Sequence, residues 1–83
     1  MIELHLTFYG VLKQEMGIRT LVFTLLDPAP TIADMAERLK AYYPTLSERL
    51  VSVAYAVNDV LVHLSHPLQS GDQVALLPPV SGG

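Results

Sequence analysis

The last residues of the sequence have the clearest chemical potential. They run Pro78-Pro79-Val80-Ser81-Gly82-Gly83. Two glycines without side chains can pass through a channel too narrow for any other residue and bring the last carboxyl carbon to a reacting group. That carboxylate has an ordinary pKa of about 3.5, so it is ionised at neutral pH and is a poor electrophile. Bond formation at Gly83 therefore requires activation, and an acyl-adenylate made from ATP is the obvious route.

Two consecutive prolines separate this end from the last predicted strand. Proline cannot donate to a sheet ladder and favours a stiff polyproline-like backbone, so Pro78 and Pro79 should hold the terminus away from the domain. At about 3.3 Å per extended residue, the segment spans roughly 20 Å. We therefore expect a domain over residues 1–77 and a projecting tail over 78–83. The residues that we expect to insert into a partner are Pro78, Pro79, Val80, Ser81 and Gly82.

Other side chains with catalytic or metal-binding potential lack a supporting pattern. His5, His63 and His66 have neither helical i, i+4 spacing nor a cysteine companion, so we predict no metal site. Ser65 and His66 are sequence neighbours outside any nucleophile elbow. The chain also has no glycine-rich phosphate loop. We therefore expect a domain with no complete active site and no permanently bound cofactor.

Length and composition narrow the class of protein. Eighty-three residues make one domain, and 51% apolar against 16% charged residues is typical of a compact fold. The absence of cysteine excludes disulfides and thiolate chemistry. A net charge of −3 has the wrong sign for neutralising phosphates, so we expect no nucleic-acid partner. No run approaches the ~20 apolar residues of a membrane span, and a signal-peptide pattern is lacking, so we expect no membrane partner and a cytoplasmic location.

The basic residues are unevenly distributed. All five Lys and Arg lie before residue 51, so the C-terminal third is weakly acidic and has no cation to pair with its own terminus. Complementary charge favours association, so a docking partner could supply that cation.

Hydrophobic patterning predicts the elements that must position the tail. Apolar and polar residues alternate over 2–9, and residues 18–26 are rich in Val, Phe, Thr and Leu. These two stretches predict antiparallel strands joined by a turn or a single helical turn. Thr31 and Asp34 form an N-cap pattern before an amphipathic helix that Pro44 ends. A second short helical turn is expected over 45–50. Three shorter strands follow, over 53–57, 60–64 and 73–77.

The order of these elements predicts the fold. Asn58-Asp59 supplies a turn that tolerates positive φ between two of the short strands. A helix that crosses between an opening hairpin and later strands, with a right-handed connection, leaves few topologies. We predict an α+β, ubiquitin-like β-grasp fold, in which a mixed sheet wraps one main helix and ends in a flexible Gly-Gly tail. The last strand would then lie beside the first.

Strand alternation marks three apolar residues outside the predicted core. Tyr9 ends the solvent-facing series of the first strand, and Leu77 ends the face opposite Val74 and Leu76. Leu61 is the third, in a short strand whose alternation allows an outward side chain. If these three cluster near the root of the tail, they form an apolar patch of the kind that marks a protein interface. The alternative is that one or more belong to the core.

Several stretches of the second half resemble a known family. They are Ala56-Val57-Asn58, His66-Pro67-Leu68 and the ending from Gly71 to Gly83. Together they are similar to the small, sulfur-carrying subunit of molybdopterin synthase, in the ubiquitin-like family of MoaD- and ThiS-type carriers. The strong match covers the last 28 residues, and the first 55 match in pattern and length alone.

The resemblance implies a reaction cycle at Gly83. An adenylating enzyme related to the ubiquitin activators would use ATP to form an acyl-adenylate there, and a sulfur donor would convert it to a thiocarboxylate. The tail would then insert into the large synthase subunit, in a heterotetramer of two small and two large subunits. Its sulfur would attack cyclic pyranopterin monophosphate in molybdenum cofactor biosynthesis. The resemblance thus implies a sulfurtransferase subunit whose basic catalytic residues belong to the large subunit.

Other functions fit the same tail. A ubiquitin-like protein modifier would link Gly83 to target lysines, and related carriers supply sulfur for thiamin synthesis or transfer-RNA thiolation. A passive β-grasp binding module would leave the carboxylate unchanged. The chemical fate of the Gly83 carboxylate discriminates among these functions.

Overall fold

The computed structural model of the protein describes residues 1–79. Along these residues two strands and three helices are interleaved in the first part, and three consecutive strands follow. The strands are β1 Ile2–Phe8, β2 Thr20–Leu25, β3 Ala54–Val57, β4 Val60–Val62 and β5 Gln73–Leu77. The helices are α1 Gly10–Met16, α2 Ile32–Tyr42 and α3 Ser47–Leu50, with a 3₁₀ turn, Pro44–Leu46, before α3.

The strands form one mixed sheet in the order β2-β1-β5-β3-β4. β1 pairs antiparallel with β2 and parallel with β5, which places the last strand beside the first as predicted. β3 pairs antiparallel with both β5 and β4. Because β5 is the central strand, the chain reaches Pro78 from the middle of the sheet rather than from an edge.

The inner face of the sheet and the main helix form the core. Alternate residues of β1 turn inward and are fully buried, as the sequence pattern predicted. α2 presents a buried stripe at intervals of three and four residues toward the same cluster. Burial of such side chains is the main favourable term in folding. The buried residues of β1 and α2 are Leu4, Leu6, Phe8, Ile32, Met35, Ala36 and Leu39.

The capping pattern predicted for α2 is confirmed. The Thr31 side chain accepts a hydrogen bond from the Asp34 N–H at 3.3 Å, and the Asp34 carboxylate accepts one from the Thr31 N–H at 2.8 Å. The helix ends at Tyr42, and Pro44 opens the 3₁₀ turn that follows. Reciprocal bonds of this kind satisfy donors that a helix start leaves free.

The connection between β1 and β2 contains a longer helix than we predicted. In place of a turn or a single helical turn, α1 extends over seven residues and buries Leu12 completely. Gly17 ends it in the left-handed region at φ 73°, and its N–H donates to the Lys13 carbonyl. The buried contact of Leu12 favours the extra turn, because short helices depend on tertiary packing rather than on propensity.

A hydrogen-bonded clamp joins the β3–β4 turn to the segment before β5. Asn58 and Asp59 adopt φ values of 49° and 71°, so the predicted turn with positive φ is confirmed. The Asn58 Nδ2 donates to Asp72 Oδ1 at 3.1 Å, and its Oδ1 accepts from the Gln73 N–H at 3.1 Å. Asp72 also accepts from the Gln69 N–H at 2.8 Å. Asn58 and Asp72, which contribute to the family resemblance, therefore have a structural role here.

Replacing Asn58 with glycine should separate this clamp from the backbone conformation. Asn58→Gly keeps the positive φ accessible but removes both side-chain hydrogen bonds, so we expect a loss of about 1 to 2 kcal/mol in the free energy of unfolding. Asp59→Gly is the control, and relief of its left-handed conformation should leave stability equal or higher. Urea denaturation of both variants measures the difference. Equal stabilities for the two variants would contradict the clamp.

Tyr55 is a buried phenol in the middle of the sheet. Its side chain is 4% exposed, and its hydroxyl finds no hydrogen-bond partner within residues 1–79. Burial raises the pKa of Tyr55 from 10.0 to about 12, because the surrounding apolar residues disfavour the phenolate. The unfolded chain therefore releases this proton near pH 10 and the folded chain near pH 12, so stability falls as pH rises between these values.

We expect Tyr55→Phe to remove this pH dependence. At pH 7 the variant should be as stable as the parent or up to about 1 kcal/mol more stable, because an unpaired buried hydroxyl is lost. Above pH 10 its advantage should grow, by up to about 2.5 kcal/mol at pH 12. Urea denaturation at pH 7 and pH 11 tests this, with Tyr42→Phe as the control because Tyr42 is 70% exposed. A difference that stays constant with pH would refute the prediction.

Candidate functional site

The root of the tail lies against the domain. Pro78 is half-buried beside the start of α1, whereas Pro79 is exposed. Both prolines border a small cavity of about 120 Å³ between α1 and the segment that follows α3. The remaining lining residues are Val11, Leu12, Arg49, Ser52 and Val53. We predicted that both prolines hold the chain away from the domain, but the first of them packs on it because Gly10 leaves room for its ring.

The rest of the predicted tail cannot be placed. Val80, Ser81, Gly82 and Gly83 lie outside the described residues. The insertion of residues 78–82 into a partner, the chemistry at Gly83 and the division of the chain at residue 77 therefore stay predictions. The structure does show where the tail starts, which is the end of the central strand β5.

Leu61 and Leu77 both point away from the core. Leu61 is 68% exposed on β4 and lies opposite Ala56, which in turn lies opposite Ala75 of β5. Leu77 is half-buried, alternates with the fully buried Leu76 and lies opposite Ala54. The two leucines therefore share the outer face of the sheet, and only small residues separate them.

Tyr9 completes this apolar surface. It follows β1 with an extended backbone and is 39% exposed, and alternation from the buried Phe8 places it on the outer face, in line with Leu77 on the neighbouring strand. The outer-face patch consists of Tyr9, Ala54, Ala56, Leu61, Ala75 and Leu77. Its members lie on β3, β4 and β5 and at the end of β1. The sequence left open whether Tyr9, Leu61 and Leu77 cluster near the tail root or belong to the core; the strand register places all three on the outer face at this end, and their contact with a partner stays a prediction.

Two arginines from before residue 51 lie at this end of the fold. The Arg19 guanidinium carbon is 5.9 Å from the centroid of the Tyr9 ring, a cation–π distance. Arg49 lines the cavity beside Pro78 and Pro79, and its Nε donates to Glu15 Oε1 at 2.9 Å. The C-terminal third of the sequence has no Lys or Arg of its own. The fold brings Arg19 and Arg49 to this end from earlier parts of the chain, through contacts that no local sequence pattern reveals.

The histidines do not form a site with one another or with acidic residues. His5 is exposed on the outer face, 3.8 Å from Glu3. Across residues 1–79, no group of three or more His, Asp or Glu side chains is arranged to hold a metal ion. Within the same range, none of the helices has both the length and the apolar character needed to span a membrane. The chemical interest of the described structure therefore centres on the tail root and the outer-face patch.

Comparison with known sequences decides the family. The profile of the ThiS family matches residues 6–83, nearly the whole chain. The chain belongs to the ThiS family. This membership confirms the resemblance seen in the second half of the sequence and extends it across the first half, where strand and helix patterning alone had supported it.

Two full-length relatives of this ThiS-family chain have different descriptions. One is a molybdopterin synthase sulfur carrier subunit from Mycobacterium tuberculosis, 26% identical over 83 residues that cover all of both chains. The other is small archaeal modifier protein 3 from Haloferax volcanii, 33% identical over 92 residues that cover 98% of this chain and 99% of that protein. The family thus includes proteins named for sulfur carriage and proteins named for modification.

Solved structures confirm the β-grasp fold of this ThiS-family chain. Small archaeal modifier protein 1 from Haloferax volcanii superposes with a TM-score of 0.86 at 26% identity, over 98% of this chain and 99% of that one. A complex of subunits 1 and 2 of the molybdopterin-converting factor from Helicobacter pylori contains a chain with a TM-score of 0.71 at 28% identity. That match covers 99% of this chain and 100% of the other.

Proposed function

We propose that this protein is the sulfur carrier subunit of a molybdopterin synthase. The supporting observation is the full-length match of a β-grasp domain, together with its Pro-Pro-Val-Ser-Gly-Gly ending, to carrier subunits of that synthase.

The reaction at Gly83 proceeds in three stages under this proposal. The Gly83 carboxylate attacks the α-phosphorus of ATP on an adenylating enzyme, and pyrophosphate leaves. The outer sulfur of a persulfide on the donor displaces AMP to give an acyl disulfide. A second thiol then attacks the donor's sulfur, which leaves a disulfide on the donor and releases the Gly83 thiocarboxylate. In the synthase the thiocarboxylate sulfur displaces an oxygen substituent of cyclic pyranopterin monophosphate, and water hydrolyses the resulting thioester, which leaves the sulfur on the pterin and restores the Gly83 carboxylate; two such deliveries supply the dithiolene. No cofactor is bound permanently, and ATP is consumed on the activating enzyme.

The large synthase subunit is the proposed partner during sulfur delivery. A complex of subunits 1 and 2 is known for the Helicobacter pylori relative, which supports a partner of that kind here. The outer-face patch lies next to the tail root, so one partner surface can cover the patch while the tail enters its active site. The exposed Ala54 and the half-buried Ala75 permit close approach, and Tyr9, Leu61 and Leu77 supply the apolar anchors. We propose a heterotetramer of two small and two large subunits.

Charge complementarity supports the same partner. The C-terminal third of the sequence has no Lys or Arg, and the two arginines that the fold brings to this end, Arg19 and Arg49, lie at the root of the tail rather than on it, so we propose that the basic residues at the reacting sulfur come from the large subunit. In that assembly this chain contributes the nucleophilic sulfur of the Gly83 thiocarboxylate and its direction of approach, while the partner contributes charge stabilisation. The pair together forms the sulfurtransferase.

A ubiquitin-like modifier is the second candidate function. Its support is the full-length match to small archaeal modifier protein 3. The sequence identity to that protein, 33%, exceeds the 26% identity to the Mycobacterium tuberculosis carrier. The same activated carboxyl group would then be attacked by a lysine amine of a target protein rather than by sulfur.

Intact-mass analysis separates these functions. The chain is incubated with an adenylating enzyme related to the ubiquitin activators, ATP, a persulfide donor, a thiol reductant and lysine-containing target proteins, and a reaction without ATP serves as the control. Exchange of one terminal oxygen for sulfur, followed by dithiolene formation when the large subunit and pterin substrate are added, supports the proposed carrier. Covalent adducts on other proteins without sulfur exchange support the modifier. An unchanged mass refutes both.

A further inference from the structure

The space beside Gly10 that a side chain would fill is occupied by the ring of Pro78. Gly10 has φ 56°, and a Cβ placed on it would lie 3.1 Å from the Cγ of Pro78. A contact this short requires the Pro78 ring to give way by a few tenths of an ångström, through a change of ring pucker or a small displacement of the tail root. The bare Cα of Gly10 therefore provides the space in which the Pro78 ring sits.

Two other glycines of the domain lack this relation. Gly17 and Gly71 also have positive φ, at 73° and 92°, but a Cβ on either would find no described atom within 4 Å. All three positions favour glycine for their backbone conformation. At Gly10 alone, among the described residues, the absent side chain also makes room for the tail root.

We propose that Gly10 is a positioning residue that holds the tail root at the angle needed for entry into the partner's active site. This inference rests on the proposed function. Pro78 lies beside Gly10 and also lines the cavity that Val11 and Val53 border. We call the place of the Pro78 ring, beside Gly10 and at the cavity, the seat. The chain leaves the sheet at Leu77, so the direction of Pro78 is set by the seat rather than by strand pairing.

The expected benefit of the seat is preorganisation. An inserting segment that starts in its bound direction loses less conformational freedom on docking, so affinity rises without new contacts. Pro78 and Pro79 transmit the direction because proline fixes φ and favours a stiff polyproline-like backbone. Disturbing the seat should therefore weaken docking of the tail and leave the chemistry of a docked tail unchanged.

Gly10→Ala and Gly17→Ala form the matched pair that tests this role. Each substitution should lower the folding equilibrium constant roughly tenfold, because alanine resists positive φ. Gly10→Ala should in addition raise KM for the carrier in dithiolene formation by about three- to tenfold, with kcat unchanged. Gly17→Ala should leave both parameters unchanged. Assays are run where denaturation curves show that both variants are folded.

A double-substitution cycle identifies Pro78 as the route of the effect. Pro78→Ala removes the Cγ that meets the new Cβ, so Gly10→Ala should add no further increase in KM in that background. In the free parent protein, a nuclear Overhauser effect between the Gly10 α-protons and the Pro78 ring should report the contact directly, without any partner.

The outcomes distinguish this inference from the function on which it rests. If the parent chain forms no dithiolene while the Overhauser contact is present, the proposed function fails and the seat stands as a structural fact. If the parent is active but Gly10→Ala and Gly17→Ala share the same KM, the positioning role is wrong. Additive effects of Gly10→Ala and Pro78→Ala would overturn it as well.

Discussion

Addition of a single alanine after Gly83 is expected to abolish sulfur carriage. The extra residue moves the carboxylate by about 3.3 Å and adds a methyl group to a segment proposed to thread a narrow channel. Misplacement of a reacting atom by about 1 Å already costs roughly a hundredfold in rate, so we expect a loss of at least that size. Initial rates of thiocarboxylate and dithiolene formation measure it, and the urea midpoint should equal that of the parent.

An alanine added before Met1 is the matched control for this extension. Met1 is 84% exposed and precedes β1, so the added residue should change neither folding nor sulfur transfer. Equal activity of the two extended chains would show that the reaction does not require the carboxylate of Gly83 itself. Loss of adduct formation in the C-terminal variant is also expected under the modifier function, so the product assay remains necessary to separate the two.

The second large effect is expected at the outer-face patch. Leu61→Asp and Leu77→Asp each place a carboxylate where we propose an apolar contact, so its desolvation opposes docking. We expect the Kd for the large subunit to rise about 10- to 100-fold, or about 1.4 to 2.7 kcal/mol. Leu61→Asp should leave the free energy of unfolding nearly unchanged because the side chain is 68% exposed. Leu77→Asp should cost about 1 kcal/mol because it is half-buried.

Val22→Asp is the control for the patch. Val22 is an exposed apolar residue on the same outer face, at 56% exposure, but it lies on the edge strand β2 at the opposite end of the strand order from β4. Calorimetric titration of the large subunit with each variant measures binding, and denaturation measures folding. An equal loss of affinity from Val22→Asp would indicate a general charge effect, and an unfolded Leu77→Asp would place Leu77 in the core.

Short-range features of the fold were predictable from the sequence. The capping box of Thr31 and Asp34 and the positive φ of Asn58 and Asp59 involve residues at most three positions apart. Such features depend on local hydrogen bonds and backbone preferences, which follow from the residue types at a few neighbouring positions. Strand alternation likewise identified Leu61 and Leu77 as candidates for the outer face, because side-chain direction in a strand has a period of two.

Other features depended on contacts between distant segments. The second turn of α1 forms because Leu12 finds a place in the core, and a short segment gives little sign of that in isolation. The bonds of Asn58 to Asp72 and Gln73 join two turns that are far apart along the chain. Tyr55 similarly looks like an ordinary strand residue until the core closes around its hydroxyl.

The sequence by itself determined the fold class, the family and the ending on which the proposed chemistry rests, because periodicity, local turn chemistry and a linear motif all lie within short stretches. The tertiary structure alone decided how the tail begins. It placed Gly10 beside Pro78, and it placed Arg49 at the cavity that Pro78 and Pro79 border. It also assembled the outer-face patch from β3, β4, β5 and the end of β1. Those relations arise from strand order and packing, which join residues according to distance in space rather than position along the chain.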